Sequence, residues 1–216
     1  MLYSNNGGLS WSLGSGTSGT RFRDVEFHPT NPDIVYASST TGFFRSVNGG
    51  QSWTSVGLPA SAANMNRNCI AVTAGAPNRV YMLASDSDGS SFLGFYVSQD
   101  AGVTWTTTSD ASTPNMLGYS PTGDDNSGQG WYDLCIEAHP TQPDVVMVAG
   151  VNIWKSTDGG NSWACSSHWV GADGLAEVHA DIHGLTFEGN TFIVACDGGV
   201  YTSSDQGVSY SDITNG

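Results

Sequence analysis

Basic residues are scarce in this sequence, which contains 6 Lys and Arg against 20 Asp and Glu among 216 residues. The resulting formal net charge of −14 repels the phosphate backbone of nucleic acids and anionic membrane surfaces. We therefore expect no nucleic-acid partner. The low share of charged residues, 12%, together with abundant Asn, Ser, Thr and Gly, suits a secreted protein that meets neutral polymers such as glycans.

Long apolar runs and helical patterns are also lacking. No stretch approaches the roughly 18 consecutive apolar residues of a membrane helix, so we expect no membrane insertion. The opening residues MLYSNNGG have neither the basic start nor the apolar run of a signal peptide, which leaves the route of export open. No segment shows a convincing helical period, so a helical bundle is not expected.

Metal-type spacing is absent from the cysteines, which form no CxxC pair and no zinc pattern; they are Cys69, Cys135, Cys165 and Cys196. Cys69 and Cys135 fall at equivalent places in a repeat described below, and we expect burial as small apolar residues rather than a disulfide. Calcium remains an option at two acidic turns, DSDG at 86–89 and GDDN at 123–126. Neither turn reproduces the full spacing of a calcium loop, so no cofactor is otherwise predicted.

One turn motif occurs five times in the sequence: SNNGGLSW at 4–11, SVNGGQSW at 46–53, SQDAGVTW at 98–105, STDGGNSW at 156–163 and SSDQGVSY at 203–210. The Asp or Asn side chain can accept hydrogen bonds from amides of its own turn, and Gly supplies the positive φ that other residues resist. The final aromatic begins the next strand and buries a large apolar surface. We assign a structural role to Asn6, Asn48, Asp100, Asp158, Asp205, Trp11, Trp53, Trp105, Trp163 and Tyr210.

These five copies resemble the Asp-box, or BNR repeat, of sialidases, xyloglucanase-type glycoside hydrolases and sortilin-type receptor propellers. A second signature precedes three of the boxes: FHPTNPDIVYAS at 27–38, TAGAPNRVYMLAS at 73–85 and AHPTQPDVVMVAG at 138–150. It is similar to the strand-turn-strand of the xyloglucanase and sortilin group. The resemblance implies a fold, but not a reaction, because such propellers include enzymes, receptors and scaffolds.

The predicted fold is all-β, a β-propeller of four-stranded antiparallel blades with Asp-box hairpins. Residues 1–216 are interpreted as one partial propeller, with the end of a blade at 1–12, four complete blades at 21–56, 66–108, 131–166 and 178–213, and an inserted loop at 109–130. The partial blade at 1–12 lacks its first two strands, so we expect the remainder of a longer chain to complete the ring. The family commonly has seven blades, and the deficit is consistent with that number.

Two segments are placed to reach the central axis, where propellers usually bind ligands. The insertion SDASTPNMLGYSPTGDDNSGQGWYD at 109–133 is long and polar, and long loops in compact folds are often functional. Its candidate ligand-binding residues are Tyr119, Trp131, Tyr132 and Asp133, whose aromatic rings suit stacking on sugars. The alternative is that Trp131 merely covers the inner end of a blade.

The second segment is VHADIHG at 178–184. As a strand, its period of two would put His179, Asp181 and His183 on one face, to line a hydrogen-bonded channel. Alternate residues on one strand stand about 7 Å apart and rarely all reach one ion, so we predict no metal site. A buried network that locks adjacent blades is the structural alternative.

Each enzymatic activity that the resemblance implies would require particular residues in this sequence. A sialidase needs three converging arginines and an Arg-Ile-Pro motif, and the motif is absent, so we do not expect that activity. A xyloglucanase-type hydrolase needs two carboxyl groups, roughly 6.5–9.5 Å apart for inversion. Asp133 and Asp181 are the only catalytic pair we nominate, yet hydrolases of that type draw their two acids from separate propellers.

A non-catalytic module, which presents its central face to a glycan or an extracellular protein, therefore accounts best for the sequence. A polysaccharide hydrolase and a structural spacer of a surface assembly remain the alternatives. The VHADIH, GQGWYD and CDGGVYTSSDQG segments resemble large bacterial secreted BNR-repeat proteins, many with a C-terminal sorting domain, and this implies an extracellular or cell-surface location.

Overall fold

The computed structural model describes residues 1–215 and consists almost entirely of antiparallel β-sheets in a propeller arrangement. A two-stranded hairpin comes first, with β1 at Leu2–Tyr3 and β2 at Ser12–Leu13. Four blades follow. Blade 1 contains β3 Phe22–Phe27, β4 Val35–Ser39, β5 Gly42–Ser46 and β6 Thr54–Val56, and blade 2 contains β7 Asn68–Val72, β8 Val80–Ser85, β9 Phe92–Ser98 and β10 Thr106–Asp110.

The remaining two blades repeat the same up-and-down order. Blade 3 contains β11 Cys135–Ala138, β12 Val146–Ala149, β13 Ile153–Ser156 and β14 Ala164–His168, and a short strand β15, Ala176–Glu177, pairs in parallel with β14. Blade 4 contains β16 Ile182–Glu188, β17 Thr191–Cys196, β18 Gly199–Ser203 and β19 Ser211–Asp212. Short 3₁₀ turns lie at Ala60–Ala62 and Ala172–Gly174. Each blade is thus one antiparallel sheet, to which blade 3 adds the short parallel strand β15.

The first strands of the four blades, β3, β7, β11 and β16, lie side by side around the hub. One register position on them carries Asp24, Cys69 and Cys135, opposite the second-strand residues Ser38, Leu83 and Ala149. Each of these side chains bonds to the next blade. An Asp24 Oδ2 oxygen accepts from the Ile70 amide at 2.8 Å, while the thiols of Cys69 and Cys135 donate to carbonyls of Leu134 and Ile182.

All four cysteines are free thiols. Burial raises the pKa of Cys69 to about 12 and holds that of Cys135 well above its usual value. Cys135 is buried as predicted, whereas Cys69 is partly buried, and both lie on innermost strands where their thiols link neighbouring blades.

The hydrophobic core lies between adjacent blades rather than at the hub. Tyr36 and Phe43 of blade 1 pack on Ile70 and Met82 of blade 2. The blade 2–3 junction includes Tyr81, Leu83, Phe95, Ile136, Val148 and Trp154, and the blade 3–4 junction includes Met147, Ile153, Val178, Ile182, Phe192 and Val194. Apolar burial between successive sheets therefore drives the propeller arrangement.

The five repeated turns share one hydrogen-bond network. In each, the first Ser hydroxyl donates to Oδ1 of the Asp or Asn and accepts from the amide of the second glycine position, and Oδ1 accepts from the amide of the later Ser or Thr. In the Asp turns, Oδ2 also accepts the Ser or Thr hydroxyl at 2.6 Å. These hydrogen bonds lower the pKa of Asp100 to about 2.

Two successive residues of each turn have positive φ. The second is always Gly, at φ between 78° and 90°. In the turns of blades 2, 3 and 4 this glycine also packs on the preceding blade: a Cβ on Gly160 would lie 2.3 Å from the Phe95 ring. The first is Gly in three turns but Ala101 and Gln206 in the others. In those two, a basic side chain of the preceding blade holds the carbonyl: Arg45 donates to Ala101 at 2.7 Å, and Lys155 donates to Gln206 at 2.8 Å.

The turn aromatics also pack backwards onto the preceding blade. Trp105 meets Phe43 edge-on at 4.6 Å, and Trp163 meets Phe95 at 4.9 Å. The expected burial fails at Trp11, which is 61% exposed. Its turn belongs to the first hairpin, and no earlier sheet lies within residues 1–215 to cover its ring.

Candidate functional site

The segments that depart from the repeat meet at one end of the hub, where β11 and β16 begin. The insertion 109–133 leads into β11, and residues 178–181 lead into β16, which lies beside β11. This end of the blade 3–4 junction carries most of the residues that the sequence nominates.

The insertion is a packed element of the fold. Met116 and Leu117 are fully buried in the core between blades 2 and 3. Asn115 anchors the chain around them, because its Oδ1 accepts from the Phe92 amide at 2.9 Å and its Nδ2 donates to two carbonyls of the loop's second half. Gly128 allows this closure, since a Cβ there would lie 2.0 Å from the Leu117 carbonyl oxygen.

Blade 3 fixes the position of Tyr119. The Asn152 amide group donates to the Tyr119 carbonyl at 3.1 Å, and the Nε2 atom of His168 lies 3.1 Å from the same oxygen. The Asp125 carboxylate accepts the amides of Tyr119 and Ser120. The Tyr119 ring remains 42% exposed, so the loop presents an aromatic surface from a well-held backbone.

A single amide group joins the two nominated carboxylates. The Gln129 Nε2 atom donates to Asp133 Oδ2 at 2.9 Å and also to Asp181 Oδ1. The backbone carbonyl oxygen of Gln129 in turn accepts hydrogen bonds from the backbone amides of Tyr132 and Asp133. Gln129, which the sequence pattern did not single out, therefore holds the two acids together across the blade 3–4 junction.

Asp133 is completely buried, and within residues 1–215 its Oδ1 atom has no hydrogen-bond partner. Burial raises the pKa of Asp133 to about 7, and the nearby charge of Asp181 adds to this effect while the Gln129 hydrogen bond opposes it. Asp133 is thus a buried acid beneath the surface of the site.

The predicted strand at 178–184 is wrong. The strand β16 begins only at Ile182, and Asp181 adopts a left-handed φ of 62°, so the alternation needed to put three polar residues on one face is broken. Each side chain has a different partner. His179 Nδ1 donates to the backbone carbonyl of its neighbour Ala180 at 3.0 Å. The Asp181 carboxylate accepts a hydrogen bond from the Gln129 side chain, and the His183 ring forms a hydrogen bond with the Asp197 carboxylate.

A pocket of about 320 Å³ lies at this end of the hub. Its lining includes Asp181 and two aromatic residues, Tyr119 and Trp169, each 42% exposed. The other lining residues are Gln129, Val151, His179 and Ala180. The pocket thus combines aromatic side chains with carboxylate, amide and imidazole groups.

A second group of exposed side chains lies outside the lining of the pocket. The Tyr132 hydroxyl donates to Asp197 Oδ2 at 3.2 Å, and His183 Nε2 lies 3.0 Å from Asp197 Oδ1. The Tyr132 and His183 rings meet edge-to-face at 4.9 Å, and Trp131 extends the row with 61% of its surface exposed. We call Trp131, Tyr132, His183 and Asp197 the aromatic row.

The sequence-nominated residues therefore divide between these two places. Tyr119, His179 and Asp181 line the pocket, Trp131, Tyr132 and His183 form the aromatic row, and Asp133 is buried below. The sequence analysis missed Trp169, Gln129 and Asp197. The CDGG turn marks Asp197 as a candidate, because it places an acidic residue in a tight turn. No feature of the sequence near Trp169 distinguishes it from a buried aromatic residue.

Within residues 1–215, no group of three or more His, Cys, Asp and Glu side chains is arranged to hold a metal ion. In both calcium candidates the carboxylates bond within their own turns: Asp88 accepts the Ser90 amide and Asp124 accepts the Ser120 hydroxyl. No helix of the described chain has the length and apolar character to cross a membrane.

Comparison with known proteins finds similarity of fold only. No family model and no curated protein sequence matches the chain. An ancestral GH74 enzyme superposes with a TM-score of 0.70 at 18% identity, over 100% of this chain and 28% of that one. The GH74 xyloglucanase from Xanthomonas campestris gives a TM-score of 0.57 at 19% identity, over 86% of this chain and 29% of that one.

A peptide-bound protein is also similar in fold. YCF48 bound to D1 peptide gives a TM-score of 0.60 at 13% identity, over 94% of this chain and 57% of that one. The chain thus spans between 28% and 57% of the length of these three proteins. Likeness at these identities shows a propeller fold, which glycoside hydrolases and a peptide-binding protein share.

Proposed function

We propose that the chain is a non-catalytic propeller module that binds a neutral glycan in the pocket between Tyr119, Trp169 and Asp181. The observation that carries this proposal is the pairing of two exposed aromatic rings with hydrogen-bonding groups around one concave space. Its volume lies near the lower end of the roughly 300–1,000 Å³ typical of small-molecule sites.

The polar groups of the pocket favour a ligand rich in hydroxyl groups. His179 Nδ1 donates to a carbonyl, so in the neutral ring its Nε2 atom is an acceptor, and Asp181 supplies carboxylate oxygens. Sugar hydroxyls donate to such acceptors, while the apolar C–H faces of a sugar ring pack on Tyr119 and Trp169. The net charge of −14 disfavours an anionic glycan.

Hydrolysis is the second candidate, and the raised pKa of Asp133 beside Asp181 favours it. Two further observations weigh against it. Asp133 is completely buried, so it does not face the pocket, and both carboxylates bind the same Gln129 nitrogen. Such a shared donor leaves no room for the sugar and water that separate the two acids of an inverting hydrolase, roughly 6.5–9.5 Å apart.

The type of sequence repeat and the cellular location of the protein are part of the same proposal. We infer that the five turns are Asp-box repeats, because all five share the Ser, Asp or Asn, Gly and Ser or Thr hydrogen bonds. An extracellular or cell-surface location suits a glycan-binding module of this acidic composition. The remainder of a longer chain is the inferred partner that completes the ring, and no metal or cofactor is required.

The proposal is tested by titrating the chain against an array of neutral oligosaccharides and measuring the best ligand by calorimetry. We expect Trp169→Ala and Tyr119→Ala each to weaken binding about tenfold. Each substitution removes one aromatic ring, whose stacking on a sugar contributes roughly 1–2 kcal/mol to the free energy of binding. Trp11→Ala is the control, since Trp11 is also an exposed tryptophan and lies in the first hairpin, outside the lining of the pocket.

The outcomes separate the candidate functions. Binding without release of reducing ends supports the module. Release of reducing ends that is lost in Asp181→Asn would establish a hydrolase. Failure of every glycan to bind, or equal loss of affinity in Trp11→Ala, would contradict the pocket.

A further inference from the structure

The aromatic row, Trp131, Tyr132, His183 and Asp197, contributes nothing to the lining of the glycan pocket. Trp131 and Tyr132 are 61% and 40% exposed. Their ring centroids lie 5.6 Å apart and their planes are inclined at 45°, so the two rings form an angled aromatic surface. A carboxylate adjoins this surface, because the Tyr132 hydroxyl donates to Asp197 Oδ2 at 3.2 Å.

The backbone that carries the two rings is firmly held. The guanidinium of Arg67, the residue before β7, donates to the carbonyl oxygens of Trp131 and Tyr132. The Tyr132 amide donates to the Gln129 carbonyl at 2.7 Å. The Gly89 backbone packs closely on Trp131, since a Cβ on Gly89 would lie 2.9 Å from the Trp131 Cβ atom. Exposed rings on a fixed backbone lose little conformational entropy when they bind a partner, which favours their use as a binding surface.

The charges around the row are negative. The hydrogen bond to Asp197 and the charge of Asp197 raise the pKa of the Tyr132 hydroxyl, and the charges of Asp181 and Asp133 raise it further. The Asp197 side chain is 45% exposed, and its partners are the Tyr132 hydroxyl and the His183 ring. Within residues 1–215, no Lys or Arg side chain lies within 4 Å of its carboxylate. Since a carboxylate accepts up to about four hydrogen bonds, Asp197 retains acceptor capacity for a cation from solvent.

We propose that the aromatic row binds an arginine side chain of a basic polypeptide partner, whose guanidinium pairs with Asp197 beside the Tyr132 ring. A guanidinium is planar, so it stacks on an aromatic ring while its parallel N–H groups donate to a carboxylate. The 3.2 Å contact between the Tyr132 hydroxyl and Asp197 brings the ring and the carboxylate within reach of one such group. The Trp131 ring then packs on the peptide around the arginine.

Charge complementarity selects this occupant. The chain carries a net charge of −14, which attracts a basic segment and accelerates its association. A neutral ligand that covered Asp197 would remove water from its charge without supplying an opposite one, whereas a guanidinium compensates that loss. A lysine ammonium would pair with the carboxylate, but it lacks the flat face that stacks on the rings.

The first test uses a dye-labelled synthetic peptide of alternating glycine and arginine and measures its fluorescence anisotropy with the 216-residue chain. We expect saturable binding that weakens as salt is added, because the contact is ionic. Replacement of each arginine by citrulline, which keeps the planar shape but removes the charge, should weaken binding at least about tenfold. Replacement by lysine should weaken it severalfold. These comparisons use the wild-type protein, so they do not depend on the folding of a variant.

Substitutions in the protein then locate the site. Asp197→Asn should weaken peptide binding about tenfold, because it removes the charged acceptor, and Trp131→Ala about fivefold, because it removes one ring. Each has a matched control that should leave the affinity unchanged. Glu188→Gln removes one exposed carboxylate at the other end of β16, and Trp11→Ala removes a tryptophan that is also 61% exposed. Circular dichroism checks that each variant keeps the wild-type thermal midpoint.

Four results would overturn the proposal: no saturable binding, equal affinity for the citrulline peptide, an equal loss in Glu188→Gln, or a larger loss of glycan affinity than of peptide affinity in Trp131→Ala. The third would reduce the binding to the general negative charge of the chain, and the fourth would make the row part of the glycan site. Trp169→Ala should weaken glycan binding and leave peptide binding unchanged, so either proposal can fail while the other stands.

Discussion

The repeated turns and the inserted loop solve the same problem in different ways. Both must satisfy the backbone of a tight, polar segment. The turns do so locally, since the Asp158 carboxylate accepts from the Ser156 and Ser162 hydroxyls and from amides of its own octapeptide. The loop does so at long range, since Asn115 reaches the Phe92 amide of another strand and Asn152 of blade 3 reaches the loop's carbonyls.

This difference determines which region is free to acquire a function. A turn whose polar groups are all engaged internally has few donors or acceptors left for a ligand. The loop and the segment before β16 are held by their neighbours, and they leave Tyr119, His179 and Asp181 directed at a common pocket. The repeat therefore builds the scaffold, and the departures from the repeat build the site.

The largest expected effect is a steric one in a turn. Gly160→Ala should lower the free energy of unfolding by about 3 kcal/mol, because a Cβ there would lie 2.3 Å from Phe95 at a φ of 90°. Gly159→Ala, with 3.4 Å to the nearest atom, should cost about 1 kcal/mol. Urea denaturation measures both, and equal losses would show that the turn does not pack on blade 2 as described.

A pair of alanine substitutions separates stability from binding. Asp158→Ala should lower the free energy of unfolding by about 2 kcal/mol, because four donors lose their acceptor, and should leave glycan affinity unchanged. Asp125→Ala should cost about 1 kcal/mol but weaken glycan binding severalfold, because it releases the amides that orient Tyr119. Urea denaturation and calorimetry are the measurements. Loss of affinity in Asp158→Ala alone would reverse the assignment of roles.

The effects of pH on stability have opposite signs in the two regions. Hydrogen bonds lower the pKa of Asp100 to about 2, so its contribution to stability is present above about pH 4 and is lost as pH falls towards 2. Burial raises the pKa of Asp133, Glu26 and Glu137 to about 7, so the folded state holds these protons more tightly, and stability falls as pH rises from about 4 to 7.

The thermal midpoint should therefore be highest near pH 4 to 5 and decline on both sides. Asp100→Asn, which introduces the residue that two other turns already use, should make only the acid limb shallower, because Asp158 and Asp205 also have lowered pKa values. Asp133→Asn should make only the neutral limb shallower, because Glu26 and Glu137 remain. A midpoint that rises steadily from pH 4 to 7 would contradict the burial of these acids.

Much of the fold was predictable because its information is local and repeated. The turn motif places five hairpins, and in the structure each of the five turns connects two antiparallel strands. The site was less predictable. Period-two reasoning failed at Asp181 because a single left-handed residue redirects the chain, and nothing adjacent in sequence signals that conformation.

The amino-acid sequence by itself determined the turns, the strand order and the acidic surface, because each depends on residues within a few positions of one another or on composition alone. Only the tertiary structure decided which side chains meet. Trp169 joins Tyr119 across fifty residues, Gln129 bridges two blades, and Tyr132 meets Asp197 in the aromatic row. Those outcomes depend on how one sheet packs against the next, which no local pattern encodes.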